Sequence, residues 1–323
     1  MKRPVLLLWI VLTLSSLTLA CPFCDPGDSD LFTDLSEAQA VVLVSKIDTR
    51  KYKVISSWRG EVKPGRIVVA AEPQSSLSKK GKLLLTTAGP PNLPYWSDAP
   101  RILDDTELIF AQEAMKVLAK PRAAQLDFAA KHLQSASSEI ADAAYNILAA
   151  APLAEVQARA QLVGRERLLA WCKNAKIAEE KKALYLLMCY RGLSSADLPW
   201  LDSELFSKSL AVSSHLLGPL TVAYISHGGA KAVAKVESIF YQKSHPASRV
   251  TIFNRALTLA YEQNNQDTLR QAIRSLFIRE LDHPQRGPFV LAPLAIWKTT
   301  SVFDKVEKLG QANRNQTWVK VAV

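Results

Sequence analysis

The chain has 323 residues, 48% of them hydrophobic and 22% charged, with a formal net charge of +10. This composition is typical of globular protein and excludes a disordered chain, and the length allows two domains. The basic residues are scattered along the sequence. The densest groups, Lys79–Lys82 and Lys176–Lys182, have no interleaved aromatic residues. We therefore predict a solvated basic surface and no nucleic-acid groove.

Residues 1–20, MKRPVLLLWIVLTLSSLTLA, have the pattern of a secretory signal peptide. Two basic residues precede an apolar core, and the small residue Ala20 ends it. Ser15 and Ser16 interrupt the apolar run, which falls short of the roughly 18 residues that a membrane anchor needs. We therefore expect an exported protein, either secreted or in the periplasm or cell envelope, where disulfides persist.

The residues after this leader read CPFCDPGD and contain Cys21 and Cys24. A c-type haem attachment is excluded because Asp25, not histidine, follows Cys24. A thioredoxin-like redox dithiol follows a strand and begins a helix. Here a leader precedes the cysteines and a DPGD turn follows them. The redox pair therefore stays an alternative rather than the favoured interpretation.

Two further interpretations of Cys21 depend on where the leader is cleaved. Cleavage before Cys21 would leave a thiol for lipidation, although a lipoprotein signal favours a branched aliphatic residue in place of Thr18 and a small one in place of Leu19. The interpretation that we favour is structural: a Cys21–Cys24 disulfide, or two free thiols near a new N-terminus. A thioether at Cys21 would exclude the disulfide.

Residues 21–120 predict a small β domain that begins with a short helix over 29–38, capped by Ser29 or Asp30. Short β-rich runs follow at 38–48, 51–60, 65–72 and 81–89, then a proline-rich loop over 89–101 and a helix over 104–120. Strands separated by turn signals at roughly ten-residue spacing predict a small antiparallel OB-like barrel. The segment has no histidine, so we predict no metal site in it.

Residues 121–323 predict an all-helical domain, because apolar residues recur there at helical spacing. Such apolar helical faces lie within Leu126–Leu133, Ile140–Leu148, Val250–Ala260, Leu269–Phe277 and Val302–Leu309. The segment KKALYLLMCY, residues 181–190, is apolar on nearly all sides and is predicted to be deeply buried. Short helices joined by polar turns predict a HEAT-like α-solenoid, so the chain is α+β with two domains. A compact helical bundle is the alternative.

Cys172 and Cys189 lie in consecutive predicted helices. In a hairpin that turns near residue 177, Cys189 lies ~12 Å too far along the axis for a disulfide, which needs Cα atoms within ~7 Å. We therefore expect two buried thiols, with a Cys172–Cys189 disulfide as the alternative. The five histidines and the serines match no catalytic or metal-binding motif. We predict no catalytic residue, metal or cofactor.

Six segments carry a family resemblance: ACPFC, AQAVVLVSKID, WRGEV, GKLLLTTAGPP, YWSDAPRIL and RERLLAWCKNA. In this order they resemble an uncharacterised family of secreted bacterial proteins of planctomycete type. The resemblance implies a leader, a cysteine pair, a small β domain and HEAT-like helices across most of residues 20–310, and it implies no activity. The β domain is also similar to the netrin-like, OB-type modules of metalloproteinase inhibitors. Those modules have C-x-C where this chain has C-x-x-C, so the similarity does not extend to inhibition.

These observations predict an exported, non-enzymatic binding or scaffold protein whose helical repeats present a surface to a protein or polymer partner. One alternative is a thiol–disulfide redox protein that uses Cys21 and Cys24. Another is an envelope lipoprotein acylated at Cys21. We predict no nucleic-acid partner, and membrane attachment only through lipidation of Cys21.

Overall fold

The structure is a computed structural model that describes residues 21–27, 30–71, 81–89, 95–96, 99–207, 213–241 and 247–312. The leader predicted over residues 1–20 lies outside these ranges. The chain divides into two compact units. We call them the sheet unit, Met1–Cys21 with Asp25–Val163, and the helical unit, Pro22–Cys24 with Gly164–Val323.

The described part of the sheet unit contains six strands in one sheet. They are β1 (Ala40–Lys46), β2 (Lys51–Arg59), β3 (Ile67–Ala70), β4 (Lys82–Thr87), β5 (Tyr95–Trp96) and β6 (Arg101–Leu103). Their order is β5-β3-β2-β1-β4-β6, and all neighbours are antiparallel except β3 and β5. The sheet is curled into an open half barrel. The prediction of an antiparallel β domain is confirmed, as a half barrel. The proline-rich segment, predicted to be a loop, contributes the short strand β5.

Six helices accompany the sheet in the described residues of this unit. They are α1 (Leu31–Glu37), α2 (Asp105–Leu118), α3 (Arg122–His132), α4 (Ser138–Ala149), α5 (Leu153–Ala158) and α6 (Ala160–Val163). Asp30 caps α1 by accepting hydrogen bonds from the backbone N–H groups of Phe32 and Thr33. Helix α4 packs against both α3 and α1. The compact unit therefore continues past Pro121, where the sequence predicts a domain boundary, to Val163.

Strand β1 lies in the middle of the sheet and has apolar side chains on both faces, as its continuous run AVVLV indicates. On the inner face, Val42 and Val44 belong to a core with Tyr52 and Trp96. On the outer face, the alternate residue Val41 belongs to a second core that includes residues of α1, α2 and α4. The two sides of the sheet thus bury two separate apolar clusters.

Strand β2 carries two β-bulges against β1. The pairs Val44↔Val54 and Leu43↔Ser56 leave Ile55 as an extra residue. Three residues further along β2, the pairs Val42↔Ser57 and Val41↔Arg59 skip Trp58 in the same way. Each bulge interrupts the simple alternation of side chains along the strand.

The helical unit is built mainly from α-helices, with short π and 3-10 turns between them. The described α-helices are α7 (Arg165–Lys173), α8 (Glu179–Cys189), α9 (Leu198–Asp202), α10 (Ser214–Val236), α11 (Ala247–Gln263), α12 (Asp267–Glu280), α13 (Leu291–Ile296) and α14 (Phe303–Ala312). Every residue from Ala183 to Tyr190 is buried, which confirms the buried helix predicted there. Of the helices described in the whole chain, α10 included, none combines the length and the hydropathy that crossing a bilayer requires.

Helix α10 occupies a central position in the helical unit. It packs against α8, α9, α11 and α12, whereas in a strict solenoid each repeat contacts only its neighbours. Pro219 lies inside it, and Gly229 has φ 61° and ψ −149°, which breaks the helix into two segments. The predicted all-helical character is confirmed, and the HEAT-like stacking stays a prediction.

Candidate functional site

The outer face of the sheet is covered by helices at one end and exposed at the other. Along β1, Val41, Leu43 and Ser45 alternate toward this face. Val41 is fully buried in the core shared with the helices, whereas Ser45 is exposed. The outer face therefore continues beyond the helix-covered core into solvent.

Strand register assembles one surface at this exposed end. Lys53 lies opposite Ser45 of β1 and Ile67 of β3. Lys51 lies opposite Val69, and its carbonyl accepts a 2.9 Å hydrogen bond from the backbone N–H of Ile47. Side chains opposite each other in antiparallel strands lie about 5 Å apart. We call this surface the basic sheet face and define it as Ser45, Ile47, Lys51, Lys53, Ile55, Ile67 and Val69.

Three isoleucines of the basic sheet face are largely exposed: Ile47 at 53%, Ile55 at 51% and Ile67 at 58%. Ile55 is the extra residue of the first bulge in β2. Single exposed apolar residues are ordinary, but neighbouring ones on one face mark a site of interaction. The basic sheet face therefore has apolar surface available for a partner.

The same part of the chain is strongly basic. Residues 45–67 contain seven Lys or Arg residues and two acidic residues. Lys46, Arg50, Lys51, Lys53 and Lys63 are exposed and Arg66 is half-buried. Arg59 lies elsewhere, because its guanidinium donates hydrogen bonds to the carbonyls of Leu35 and Ala38. The surface around the three isoleucines therefore attracts negatively charged groups.

One of the two acidic residues, Asp48, lies in the turn between β1 and β2. Hydrogen bonds from the backbone N–H and the hydroxyl of Thr49 lower the pKa of Asp48, and Lys51 and Lys46 lower it further. The carboxylate therefore stays ionised at neutral pH and offsets part of the positive charge. Lysines still outnumber acidic groups around it.

No contiguous run of basic residues marks this site in the sequence. The basic sheet face forms from three separate strands and a turn, so its charges converge only through register. A signal was present in KYKVI, where Lys51 and Lys53 alternate with Tyr52 and Val54. That alternation indicates a strand with one buried face and one exposed face.

Cys21 and Cys24 are disulfide-bonded. Within the helical unit, the Pro22 carbonyl accepts a 2.9 Å hydrogen bond from Arg255. The ring of Phe23 lies so close to Gly218 that a Cβ there would be 2.2 Å from its Cε1 atom. A bonded Cys21 has no thiol to carry a thioether lipid. Pro22 and Phe23, between the two cysteines, therefore pack within the helical unit.

Cys172 and Cys189 are free, buried thiols. The Sγ atom of Cys172 lies 3.8 Å from the carbonyl oxygen of Lys182, as a hairpin predicts. A hydrogen bond with the Cys189 thiol, and then burial, raise the pKa of Cys172. The two thiols are thus closer than the hairpin geometry predicts.

The histidines are dispersed. His132 packs against the rings of Phe110 and Phe128, with centroids 5.1 and 4.6 Å away, and burial lowers the pKa of His132. His227 lies beside the Tyr190 carbonyl, and His245 is outside the described residues. Within the ranges that the structure describes, no three His, Cys, Asp or Glu residues are grouped to hold a metal ion.

Glu280 is a buried carboxylate that the sequence analysis did not single out. It is 4% exposed, and its Oε2 atom lies 2.9 Å from the Nε atom of Arg286. Burial raises the pKa of Glu280 to about 7, although Arg286 acts in the opposite direction. Arg286 also donates a hydrogen bond to the carbonyl of Tyr241. This is a buried ion pair that titrates near neutral pH, and no sequence motif marks it.

Comparison of the chain with protein-family models, curated proteins and solved structures finds no match.

Proposed function

We propose that this chain is an exported, non-enzymatic binding protein that uses the basic sheet face to bind a negatively charged partner. The observation that carries the proposal is the coincidence, on one exposed sheet face, of three half-exposed isoleucines with Lys51 and Lys53. Buried isoleucines would add to folding stability at about 1.5–3 kcal/mol each. Leaving three of them in solvent is consistent with a surface that a partner covers.

The remaining parts of the chain have supporting roles in this proposal. The half barrel, as a partly open OB-like sheet, holds the three strands of the face in register. The helical unit is a scaffold, and HEAT-like repeats there would add a second surface for a protein or polymer partner. Export rests on the leader pattern of residues 1–20.

A second candidate function is thiol–disulfide exchange, which the disulfide-bonded state of Cys21 and Cys24 favours. Replacing both residues with serine and measuring disulfide reductase turnover tests it. Turnover by the native chain that the double variant lacks would support a redox protein and count against a purely binding role.

The lipoprotein alternative has a separate test. Mass spectrometry of the mature N-terminus distinguishes a diacylglyceryl Cys21 from a disulfide-bonded one. We expect the disulfide mass, because a thioether and a disulfide cannot share the same sulfur.

Retention on an immobilised polyanion tests the binding proposal. We expect the native chain to be retained at low salt and Lys51→Glu/Lys53→Glu to elute early, because it reverses two charges at the centre of the basic sheet face. Lys120→Glu/Lys131→Glu is the matched control, since both lysines are exposed residues of the sheet unit elsewhere. Equal loss in both double variants would show that net charge, and not this face, governs retention.

A further inference from the structure

We infer that the partner of the basic sheet face is the surface of an anionic lipid bilayer, into which Ile47, Ile55 and Ile67 insert. The inference rests on the proposed function and names the partner that its chemistry fits. It differs from lipidation at Cys21, because the contact is made by folded strands and needs no covalent lipid.

The isoleucines decide between a bilayer and a soluble polyanion. Each of the three exposes more than half of its surface, and none offers a hydrogen-bond donor or acceptor from its side chain. A polyanion would leave these side chains in water. The boundary between headgroups and acyl chains accepts apolar side chains to a depth of about 5–10 Å.

The lysines supply the second half of the contact. Lys51 and Lys53 lie on the same face as the isoleucines, and Arg50 and Lys63 are exposed in the turns that join these strands. Long lysine side chains can extend along an apolar surface while their ammonium groups reach phosphates. Anionic headgroups attract each such residue near the surface.

The shape of the site also fits a planar partner. The site is one face of three neighbouring strands, β1, β2 and β3, which together are about 10 Å wide at roughly 4.8 Å between strands. Its apolar and basic residues share that face rather than lining a groove. A planar bilayer can contact all three isoleucines at once.

Sedimentation with phosphatidylcholine vesicles, with and without phosphatidylglycerol, tests the inference on the full mature chain. We expect binding only when phosphatidylglycerol is present, and a decrease as salt is added. Lys51→Glu/Lys53→Glu should lower the partition coefficient roughly tenfold or more, and Lys120→Glu/Lys131→Glu should change it much less.

The decisive variant removes apolar surface at constant charge. Ile47→Ser/Ile55→Ser/Ile67→Ser should lower partitioning into phosphatidylglycerol vesicles roughly tenfold or more. Its control is Ile109→Ser/Leu162→Ser, which changes two other exposed apolar residues of the sheet unit, at 57% and 53% exposure. Far-UV circular dichroism checks that both variants remain folded.

Three outcomes would overturn the bilayer inference. Native chain that fails to bind phosphatidylglycerol vesicles, yet is retained on the polyanion through Lys51 and Lys53, would refute the bilayer and leave the proposed function in place. An isoleucine variant that binds vesicles like the native chain would show that nothing inserts. If the native chain bound neither the phosphatidylglycerol vesicles nor the immobilised polyanion, the proposed function would be refuted as well.

Discussion

Gly218 lies inside α10, where the lack of a side chain leaves room for the ring of Phe23. Glycine inside a helix ordinarily lowers stability by about 1 kcal/mol relative to alanine. Here glycine is favoured over alanine, because the ring of Phe23 leaves no room for a Cβ atom at this position. A residue that looks unfavourable within its own helix is therefore explained by its neighbour, and sequence pattern alone cannot show this.

Gly218→Ala should destabilise the protein by about 1–3 kcal/mol, because the new Cβ overlaps the Phe23 ring. Thermal unfolding of the full chain measures the effect. Gly192→Ala is the control, since the nearest atom to a Cβ there is Arg165 Cδ at 3.4 Å. A stabilised Gly218→Ala would show that the Phe23 ring moves away without cost.

Glu280 should make stability depend on pH. Burial raises the pKa of Glu280 from 4.5 to about 7, so the folded chain holds this proton more tightly than the unfolded chain. The resulting stabilisation is complete below the unfolded pKa and is lost as pH rises through about 7. We expect the difference in unfolding free energy between native chain and Glu280→Gln to fall as pH increases over this window.

Denaturant unfolding at several pH values measures this difference. Glu166→Gln, which changes an exposed carboxylate of the helical unit, is the control variant. Burial lowers the pKa of both His132 and His283. Subtraction cancels the contribution of His132, which packs among aromatic rings of the sheet unit. The Nε2 atom of His283 lies 3.9 Å from Oε1 of Glu280, so the coupling of these two groups is part of the measured difference. The prediction would be contradicted if the difference in unfolding free energy between the native chain and Glu280→Gln did not change with pH.

At the scale of the element, helix starts follow closely from the sequence. Asp30 and Asp104 cap α1 and α2, and an aspartate ahead of an apolar periodic segment predicts such a start. Strands β1 to β4 follow from β-rich runs between turn signals. Strands β5 and β6 do not, because two- and three-residue strands depend on partners distant in sequence.

Asp104→Ala should lower stability by about 0.5–2 kcal/mol, because it removes the capping box with Glu107 at the start of α2. Asp105→Ala is the matched control: Asp105 is an exposed residue in the same first turn and is not the cap. Thermal unfolding of both variants measures the comparison. Equal losses would indicate a general effect of negative charge at the helix start instead of capping.

At the scale of the whole molecule, the two structural classes are predictable and their boundary is not. Pro121 separates strand-like from helix-like periodicity, yet the compact units divide between Val163 and Gly164. Helices α3 to α6 belong to the sheet unit because α4 packs against α1. The basic sheet face is unpredictable for a related reason, since strand register and not sequence proximity brings Lys53 and Ile67 together.

The free thiols should report the unfolding of the helical unit. Cys172 and Cys189 are buried, and Cys189 ends a helix with no exposed residue from Ala183 onward. Alkylation of the native chain should therefore be slow and should accelerate across the denaturant transition. Mass spectrometry of the labelled chain measures the rate. Rapid labelling under native conditions would contradict this burial.

The bulge at Ile55 has a consequence for how this strand tolerates genetic change. Deleting that residue would remove the bulge and leave the pairs Val44↔Val54 and Leu43↔Ser56 in place, because Ile55 has no partner of its own on β1. Substitution there alters one side chain only. Strand β2 should thus tolerate the loss of a codon at Ile55 better than at a paired position such as Val54, where the residues beyond the deletion would exchange faces.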